Sequence, residues 1–233
     1  MIVWIASYPR SGNTFLRMLL HDLYGIESST VYNTDGVANR LGAGLVGYQP
    51  HTLSYSAMRE SSAAHLIKTH RPFDAMRDDG MIDGADKAIC LFRDGRDATV
   101  SWARQRAEDP NTNFHTELSK LVDHPEAVGA GCWGSNALSW IQAPLAGRGV
   151  VQFHDLIVNP RETVSRLVSS LDLDLPVLPA TTSRSFEELH AIDPAFFRVG
   201  RVGTHRNEMP PDLHERFLAI PRNRAALRQL GYL

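Results

Sequence analysis

The chain has 233 residues, of which 43% are hydrophobic and 21% are charged, as is ordinary for a globular protein able to bury a core. Its net charge of −2 gives no electrostatic footprint for nucleic acid, so local Arg and Lys side chains must meet any bound anion. Cys90 and Cys132 form neither a disulfide framework nor a metal cluster, and no apolar run approaches the roughly 18 residues of a membrane span. Because only a short apolar run precedes Ser7, too short for a signal peptide, we expect a reduced, cytoplasmic protein with one domain over residues 1–233.

Short apolar runs alternate with helical patterns along the chain. The predicted strands are residues 2–6, 64–68, 87–92 and 150–154, and the predicted helices are residues 14–25, 96–107, 134–145, 187–190, 212–220 and a segment with Pro160 in its first turn. Strands separated by helices favour an α/β fold with a central parallel sheet flanked by helices. Residues 26–62 and 108–116 are rich in turn-forming residues and are predicted to be loops.

The first predicted strand leads into residues 7–14, SYPRSGNT, and then into a helix. A tight turn at Gly12 would point backbone N–H groups at one spot, where the helix dipole adds partial positive charge. Arg10 adds a full charge, and its guanidinium fork suits a pair of phosphate or sulfate oxygens. The Gly-x4-Gly-Lys-Ser/Thr pattern of nucleoside triphosphate loops is absent, so we expect an anion held without magnesium. A plain strand-to-helix turn with a surface arginine would show the same residues.

Three later segments carry charged residues near predicted strand ends or in loops. Residues 92–101, FRDGRDATVS, end a strand and open a helix, although charge pairs at a helix start would also explain them. Residues 68–73, KTHRPF, put a Lys and a His on one face at the carboxyl end of a strand, where ligands bind in open α/β sheets. Residues 196–203, FFRVGRVG, could clamp an anion or form a surface loop.

Together the four segments resemble the sulfotransferases that use 3′-phosphoadenosine 5′-phosphosulfate (PAPS). That family carries a Tyr-Pro-Lys/Arg-Ser-Gly-x-Thr loop and a Lys-Thr-His-x-Pro segment, which YPRSGNT (8–14) and KTHRP (68–72) match. It also has an Arg followed eight residues later by Ser, matched within residues 92–101, and a late Phe-x-Arg-Lys-Gly segment, matched by FFRVG (196–200). The resemblance implies a P-loop NTPase-like fold and, without a metal, transfer of a sulfuryl group from PAPS to a small-molecule acceptor. Adenosine 3′,5′-bisphosphate (PAP) would be the released product.

The resemblance assigns cofactor-binding roles by position. The matching residues are Arg10, Ser11, Gly12, Asn13, Thr14, Phe15, Arg93, Ser101, Phe186, Arg198, Val199 and Gly200. The loop residues would hold the 5′-phosphate, with Arg10 near the oxygen that links phosphate to sulfate. Arg93, Ser101 and the late segment 198–200 match ligands of the 3′-phosphate. The two phenylalanines match positions near adenine, the second of them within SRSFEEL (183–189).

The resemblance also assigns catalytic roles, to His70, Lys68 and Arg10. His70 matches the family's general base, and imidazole is the side chain whose ordinary pKa lies near working pH. Lys68 matches a residue that steadies the sulfuryl group. With Arg10, it would meet the negative charge that develops on the bridging oxygen as the bond breaks.

The sequence departs from the family pattern at several positions. Arg10 stands where much of the family has Lys, and Val199 replaces a late Lys. Phe153 replaces a Tyr near adenine, and the late Gly-Asp-Trp is GTH (203–205). A C-terminal dimer motif of the animal cytosolic members is not visible, so the oligomeric state is unknown.

Other functions fit parts of the sequence. Cys90 and Arg96 have the Cys-x5-Arg spacing of a phosphatase loop, although Cys90 lies in an apolar run that is typical of a core strand. A nucleotide-binding module without catalysis is also open, but Lys68 and His70 argue against it. A P-loop kinase is disfavoured because Gly-Lys-Ser/Thr is missing.

The acceptor is not evident from the sequence. We expect its pocket to draw on residues 26–62, Phe73, 106–118 and Trp133. The aromatic side chains in this part of the chain are Tyr32, Tyr48, Tyr55 and Phe114. They favour an aromatic or apolar hydroxyl compound, with an amine also open, and each could equally be ordinary core.

Overall fold

The computed structural model describes residues 1–178 and 184–233. In this part of the chain, the strands are β1 (Ile2–Ser7), β2 (Ser28–Thr30), β3 (His65–Thr69), β4 (Lys87–Phe92) and β5 (Gly147–Gln152). They form one parallel sheet in the order β2-β3-β1-β4-β5. The strand order changes direction around the central β1, and in open α/β sheets the ligand crevice lies at the carboxyl ends near such a point.

Helices cover both faces of the sheet. They are α1 (Asn13–Tyr24), α2 (Gly36–Leu41), α3 (Ala43–Val46), α4 (Tyr55–Glu60), α5 (Phe73–Asp78), α6 (Gly95–Arg106), α7 (Phe114–Asp123), α8 (Trp133–Ile141), α9 (Phe153–Val158), α10 (Pro160–Ser170), α11 (Phe186–Ile192), α12 (His205–Glu208), α13 (Pro211–Ala219) and α14 (Pro221–Gln229), with a 3₁₀ turn at Pro125–Ala127. Within residues 1–178 and 184–233, none of these helices has the length and apolar character needed to cross a bilayer.

Side chains of β1 alternate between two buried layers. Trp4 packs in the layer that α6, α8 and α14 help to form, whereas Val3 and Ile5 pack in the layer formed with α1 and α10. Every residue of β1 is buried, which explains why the strand reads as a continuous apolar run rather than an alternating one. The predicted α/β class with a central parallel sheet is therefore what the structure has.

The strand predicted at residues 150–154 begins and ends earlier than expected. Its range in the structure is Gly147–Gln152, and Phe153 already begins α9. Among the strands of the described residues, β5 pairs only with β4, and a Cβ at Gly149 would lie 2.4 Å from Leu167 Cδ1 of α10. Close packing under a helix thus requires a small residue here, so the strand begins without the apolar pattern that predicts strands.

The segment 26–62, predicted as a loop, contains β2 and the short helices α2, α3 and α4. α2 shows why the sequence pattern missed them. Asp35 caps its start by accepting hydrogen bonds from Val37 N (3.0 Å) and Ala38 N (3.1 Å), and it also pairs with Arg17 of α1. Helices this short are stabilised by tertiary contacts rather than by an apolar period, so periodicity does not reveal them.

Candidate active site

A cavity of about 260 Å³ lies at the carboxyl ends of the strands. Its wall includes Pro9 shortly after β1, His70 directly after β3, Arg93 directly after β4 and Phe153 directly after β5. Parallel strands bring these sequence-distant positions to one edge of the sheet, as expected for an open α/β fold.

The cavity collects most of the residues that the sequence proposed. Those lining it are Arg10, Gly12, Asn13, Thr14, Phe15, His70, Arg93, Ser101, Phe186, Arg198, Val199 and Gly200. Two proposed residues, Ser11 and Lys68, are buried beside it rather than in its wall. Of the described residues in the wall, three are arginines and none is a carboxylate, which suits an anion.

The loop between β1 and α1 exposes the helix N-terminus. Gly12, the N-cap of α1, has φ 103° and supplies no side-chain cap, so the first amides of the helix can bind an anion. A Cβ at Gly12 would lie 2.7 Å from Phe153 Cδ2, which leaves room only for glycine. Asn13 fixes the loop by donating from Nδ2 to Ile5 O (3.3 Å) and Ser7 Oγ (3.1 Å).

Arg93 joins this loop to the late segment. Its Nη1 donates to Arg10 O (3.0 Å), its Nη2 donates to Arg201 O (3.2 Å), and its guanidinium lies 4.5 Å from the centre of the Phe153 ring. Among the described residues, Arg93 Nε and Ser11 Oγ are buried polar atoms without a hydrogen-bond partner. A buried donor without a partner is costly, so these two atoms fit the oxygens of a bound anion.

Arg10 contacts Phe196, the first residue of the late segment. Its Nε donates to Ser101 Oγ (3.3 Å), its Nη2 donates to Phe196 O (2.6 Å), and its guanidinium stacks 4.3 Å from the centre of the Phe196 ring. Burial, and then the neighbouring Arg93, lower the pKa of Arg10 to about 10. The guanidinium therefore stays charged at neutral pH.

An aromatic group closes one side of the cavity. Phe186, the first residue of α11, meets Phe197 edge to face, and Phe197 does the same with Phe196. Gly200 has φ 58°, and a Cβ there would lie 2.6 Å from the Phe186 ring. Each ring offers an apolar face or edge against which a nucleobase could pack. Of the proposed adenine segment 183–189, Ser183 lies outside the described residues.

His70 has a defined tautomer. Its Nδ1 lies 2.8 Å from Ser7 O, and a carbonyl oxygen only accepts, so Nδ1 carries the proton and Nε2 is a free acceptor. Burial, and then the nearby charge of Lys68, lower the His70 pKa to about 3, so the ring is neutral at physiological pH. The backbone is held by Tyr32, whose hydroxyl accepts from His70 N at 2.9 Å.

Lys68 points to a different partner from the one expected. Its Nζ lies 3.6 Å from Asp35 Oδ2, and the same oxygen accepts from Arg17 Nη1 at 2.7 Å. Burial lowers the Lys68 pKa, while Asp35 opposes that shift. Lys68 thus supplies positive charge next to His70 without lining the cavity.

Sequence reasoning missed several wall residues, among them Val37, Trp102 and Gln105, and gave no role of their own to Phe196 and Phe197 within the proposed segment 196–203. The sequence contains a pattern that indicates Gln105 as a wall residue. It stands four residues after Ser101 on the same helix, and therefore on the same helix face. No sequence pattern indicates Val37, because α2, the helix that carries it, was not predicted.

None of the aromatic residues proposed for the acceptor pocket lines the cavity, but Tyr32 stacks on the His70 ring, with the ring centroids 6.3 Å apart. Tyr55 packs against Trp4, Phe73 against Trp140, and Trp133 against Phe217. Phe114 stacks under the Arg104 guanidinium at 3.6 Å. These four residues act in packing, one of the two roles that the sequence left open.

The sulfotransferase domain family matches residues 2–229 of the chain. The chain belongs to this family. Among curated relatives, sulfotransferase 1A1 of Rattus norvegicus is 21% identical over 248 residues, covering 91% of this chain and 80% of the relative. Sulfotransferase 1E1 of Mus musculus is 22% identical over 236 residues, covering 91% of this chain and 79% of the relative.

Solved sulfotransferases share the fold at low sequence identity. Mouse sulfotransferase SULT7A1, complexed with PAP, superposes with a TM-score of 0.67 at 16% identity, covering 97% of this chain and 88% of that chain. Retinol dehydratase, in complex with androsterone and the inactive cofactor PAP, superposes with a TM-score of 0.61 at 16% identity, covering 97% of this chain and 80% of that chain. The predicted family and fold are confirmed, and the chain is a PAPS-dependent sulfotransferase.

The phosphatase spacing has no site in this sulfotransferase. Cys90 is fully buried inside β4, and burial raises the pKa of its thiol to about 12. Arg96 is bound to Asp94, with Nη2 2.6 Å from Asp94 Oδ2. A thiol in this environment is not a thiolate nucleophile at neutral pH.

Proposed function

We propose that this sulfotransferase moves a sulfuryl group from PAPS to a hydroxyl or amine of a small acceptor in the cavity, with His70 as general base. The observation that carries the proposal is the convergence of residues after β1, β3 and β4 and in the segment 196–200 on one cavity wall. An uncapped helix N-terminus, a neutral imidazole and arginines are the groups that the transfer requires.

The cavity offers two places for phosphate. The N-terminus of α1, together with Arg10, would hold the 5′-phosphosulfate. The free Nε of Arg93 and the hydroxyl of Ser101 would hold the 3′-phosphate, which would take the Ser101 hydroxyl from Arg10. The Phe186 and Phe197 rings would contact adenine.

His70 would remove the proton from the incoming hydroxyl through Nε2. The Ser7 carbonyl oxygen fixes the tautomer by accepting a hydrogen bond from Nδ1–H. Nε2 is therefore the unprotonated ring nitrogen that can take up a proton. A positioned base of this kind contributes about 10²–10⁴ in rate.

Charge on the bridging oxygen would be met by Arg10 and by the amides of α1. Arg10 remains charged at neutral pH and cannot act as a proton donor there, so it would stabilise the leaving oxygen electrostatically. Lys68 would add positive charge from behind His70, since direct contact with the sulfuryl group would require its amine to leave Asp35.

The acceptor would lie against Val37, Trp102 and Gln105, which share the cavity with His70. A tryptophan face and one amide favour an aromatic or apolar compound held by few polar contacts. Solved structures of retinol dehydratase contain retinol or androsterone, which supports an acceptor of this class.

The proposal is tested with PAPS labelled with radioactive sulfur and a panel of phenols, aliphatic alcohols and amines, alongside calorimetric titration with PAP. We expect PAP binding and label transfer to at least one phenol or apolar alcohol. Binding without transfer to any acceptor would favour the catalytically silent module, and absence of binding would overturn the proposal. A single domain over residues 1–233 and a cytoplasmic location stay predictions.

A further inference from the structure

The segment 196–203, here called the strap, crosses the cavity between α11 and α12. Its first part, residues 196–200, lines the wall. Each end is anchored by a carboxylate. Asp193 accepts from Phe196 N (2.8 Å) and binds Arg40 of α2, with Oδ2 2.6 Å from Arg40 Nε.

The second anchor is Asp97, in the first turn of α6. This residue is fully buried. Its Oδ2 accepts from Gly203 N (2.6 Å), and its Oδ1 accepts from His205 N (2.9 Å), His205 Nδ1 (2.7 Å) and the Thr204 hydroxyl (3.3 Å). One carboxylate therefore binds four donors from three consecutive residues, which is a charge-assisted hold on the strap's end.

The strap in turn orients Arg93. Arg93 Nη2 donates to the Arg201 carbonyl, two residues before Gly203, while Nη1 donates to Arg10 O. Two of the three guanidinium nitrogens are thus fixed by backbone oxygens, and the remaining Nε has no partner among the described residues. If the strap's end moved, the Arg201 carbonyl would move with it, and Arg93 would lose one of its two supports.

We propose that Asp97 is a positioning residue for nucleotide binding: it fastens the end of the strap at Gly203 and the adjoining start of α12 at His205 and, through the Arg201 carbonyl, aims Arg93 at the 3′-phosphate. This inference rests on the proposed binding of PAP in the cavity. Asp97 does not line the cavity, so it acts on the nucleotide through the strap and through its electrostatic attraction to Arg93.

A purely stabilising role for Asp97 would look different, and the chain offers a matched control. Asp94 is also buried, stands in the same strand-to-helix turn, accepts from Arg96 N (2.9 Å) as the cap of α6 and forms an ion pair with Arg96. Within the described part of the chain, its hydrogen-bond partner is Arg96 of its own turn and not the strap. Asp94→Asn therefore weakens the same helix start without releasing the strap.

The substitution Asp97→Asn keeps the size of the side chain. It replaces one carboxylate oxygen with an NH₂ group, which in either orientation faces an N–H of the strap or of His205. We expect the dissociation constant for PAP to rise about tenfold. We also expect faster hydrogen exchange of strap amides in the nucleotide-free protein, and a turnover number at saturating PAPS within about twofold of the wild type. Asp94→Asn is expected to lower the unfolding temperature but to bind PAP within about twofold of the wild type.

Thr204→Val is the milder variant, in case Asp97→Asn does not fold. It removes one donor at the surface of the cluster, and PAP affinity should fall by about two- to threefold with faster strap exchange. Equal PAP affinity of the foldable variant and the wild type would overturn the inference, as would an equal loss in Asp94→Asn. If the wild type itself did not bind PAP, the proposed function would fail, and the inference with it.

Discussion

The His70 ring donates its Nδ1 proton to the Ser7 carbonyl oxygen, 2.8 Å away. This contact joins the end of β3 to the end of β1 and leaves Nε2 as the proton acceptor at the cavity. Burial holds the ring neutral by lowering its pKa to about 3. The ring is therefore deprotonated and able to accept a proton at neutral pH, although a pKa this low also makes it a weaker base than an ordinary imidazole.

We therefore expect the His70 ring of the nucleotide-free protein not to titrate between about pH 5 and pH 8. Because the folded pKa is lowered, protonation would begin only well below the range in which ordinary histidines titrate. Nitrogen-detected NMR of labelled imidazoles, assigned by His70→Gln, would show the Nδ1-protonated tautomer throughout. The same resonance in denaturant should titrate near about pH 6.5. A folded-state midpoint near that value would contradict the burial argument.

Arg93→Ala should weaken PAP binding by about ten- to a hundredfold, because charge-assisted hydrogen bonds contribute roughly 1.5–3 kcal/mol. Calorimetric titration measures the change. Arg96→Ala is the matched control: Arg96 is equally buried on the same turn but binds Asp94 and the Tyr232 carbonyl. It should destabilise the fold and leave PAP affinity within about threefold. Similar losses of affinity in both variants would remove Arg93 from the 3′-phosphate site.

Gly12→Ala should lose PAP binding and stability together. The new Cβ would sit at φ 103° and 2.7 Å from the Phe153 ring, so the loop must shift, at a cost of roughly 1–3 kcal/mol. Gly44→Ala, at an exposed position of α3 with nothing within 4 Å of the added Cβ, should be neutral or slightly stabilising. Thermal unfolding and PAP titration of both variants test this. Normal PAP binding by Gly12→Ala would show that the loop is not the cradle.

Tyr32→Phe should lower the turnover number by about two- to tenfold, since it removes the acceptor of the His70 backbone N–H bond. PAP affinity should stay unchanged, because Tyr32 does not line the cavity. Tyr48→Phe, a tyrosine next to Arg17 and outside the cavity wall, is the control for a lost hydroxyl. An effect on PAP affinity rather than on turnover would contradict a role through His70.

The parts of the site that could be predicted from sequence lie at the ends of central strands. The loop after β1 and the residues after β3 and β4 follow buried apolar runs. The sequence therefore indicates where these strands end and that their ends share one edge of the sheet. Contacts between short elements that lie far apart in the sequence could not be predicted in this way. The pairing of Lys68 with Asp35 depends on α2, a helix of six residues held by a cap and a buried ion pair rather than by a period.

The acceptor side was the least predictable for a related reason. An aromatic residue in a loop-like sequence gives no sign of whether it faces a cavity or the core. Tyr55 and Trp133 pack on other aromatic rings, whereas Trp102 reaches the cavity because α6 is anchored directly after β4. Which face of a helix turns inward is decided by packing partners that the local pattern does not contain.

The most direct test of the account compares His70→Ala with His65→Ala, two substitutions at opposite ends of β3. Transfer of labelled sulfur from PAPS and calorimetric binding of PAP are measured for each. We predict that His70→Ala loses about 10²–10⁴ in turnover while PAP affinity stays within about threefold, and that His65→Ala keeps both. Near-normal turnover in His70→Ala, with the protein folded and binding PAP, would contradict His70 as the base.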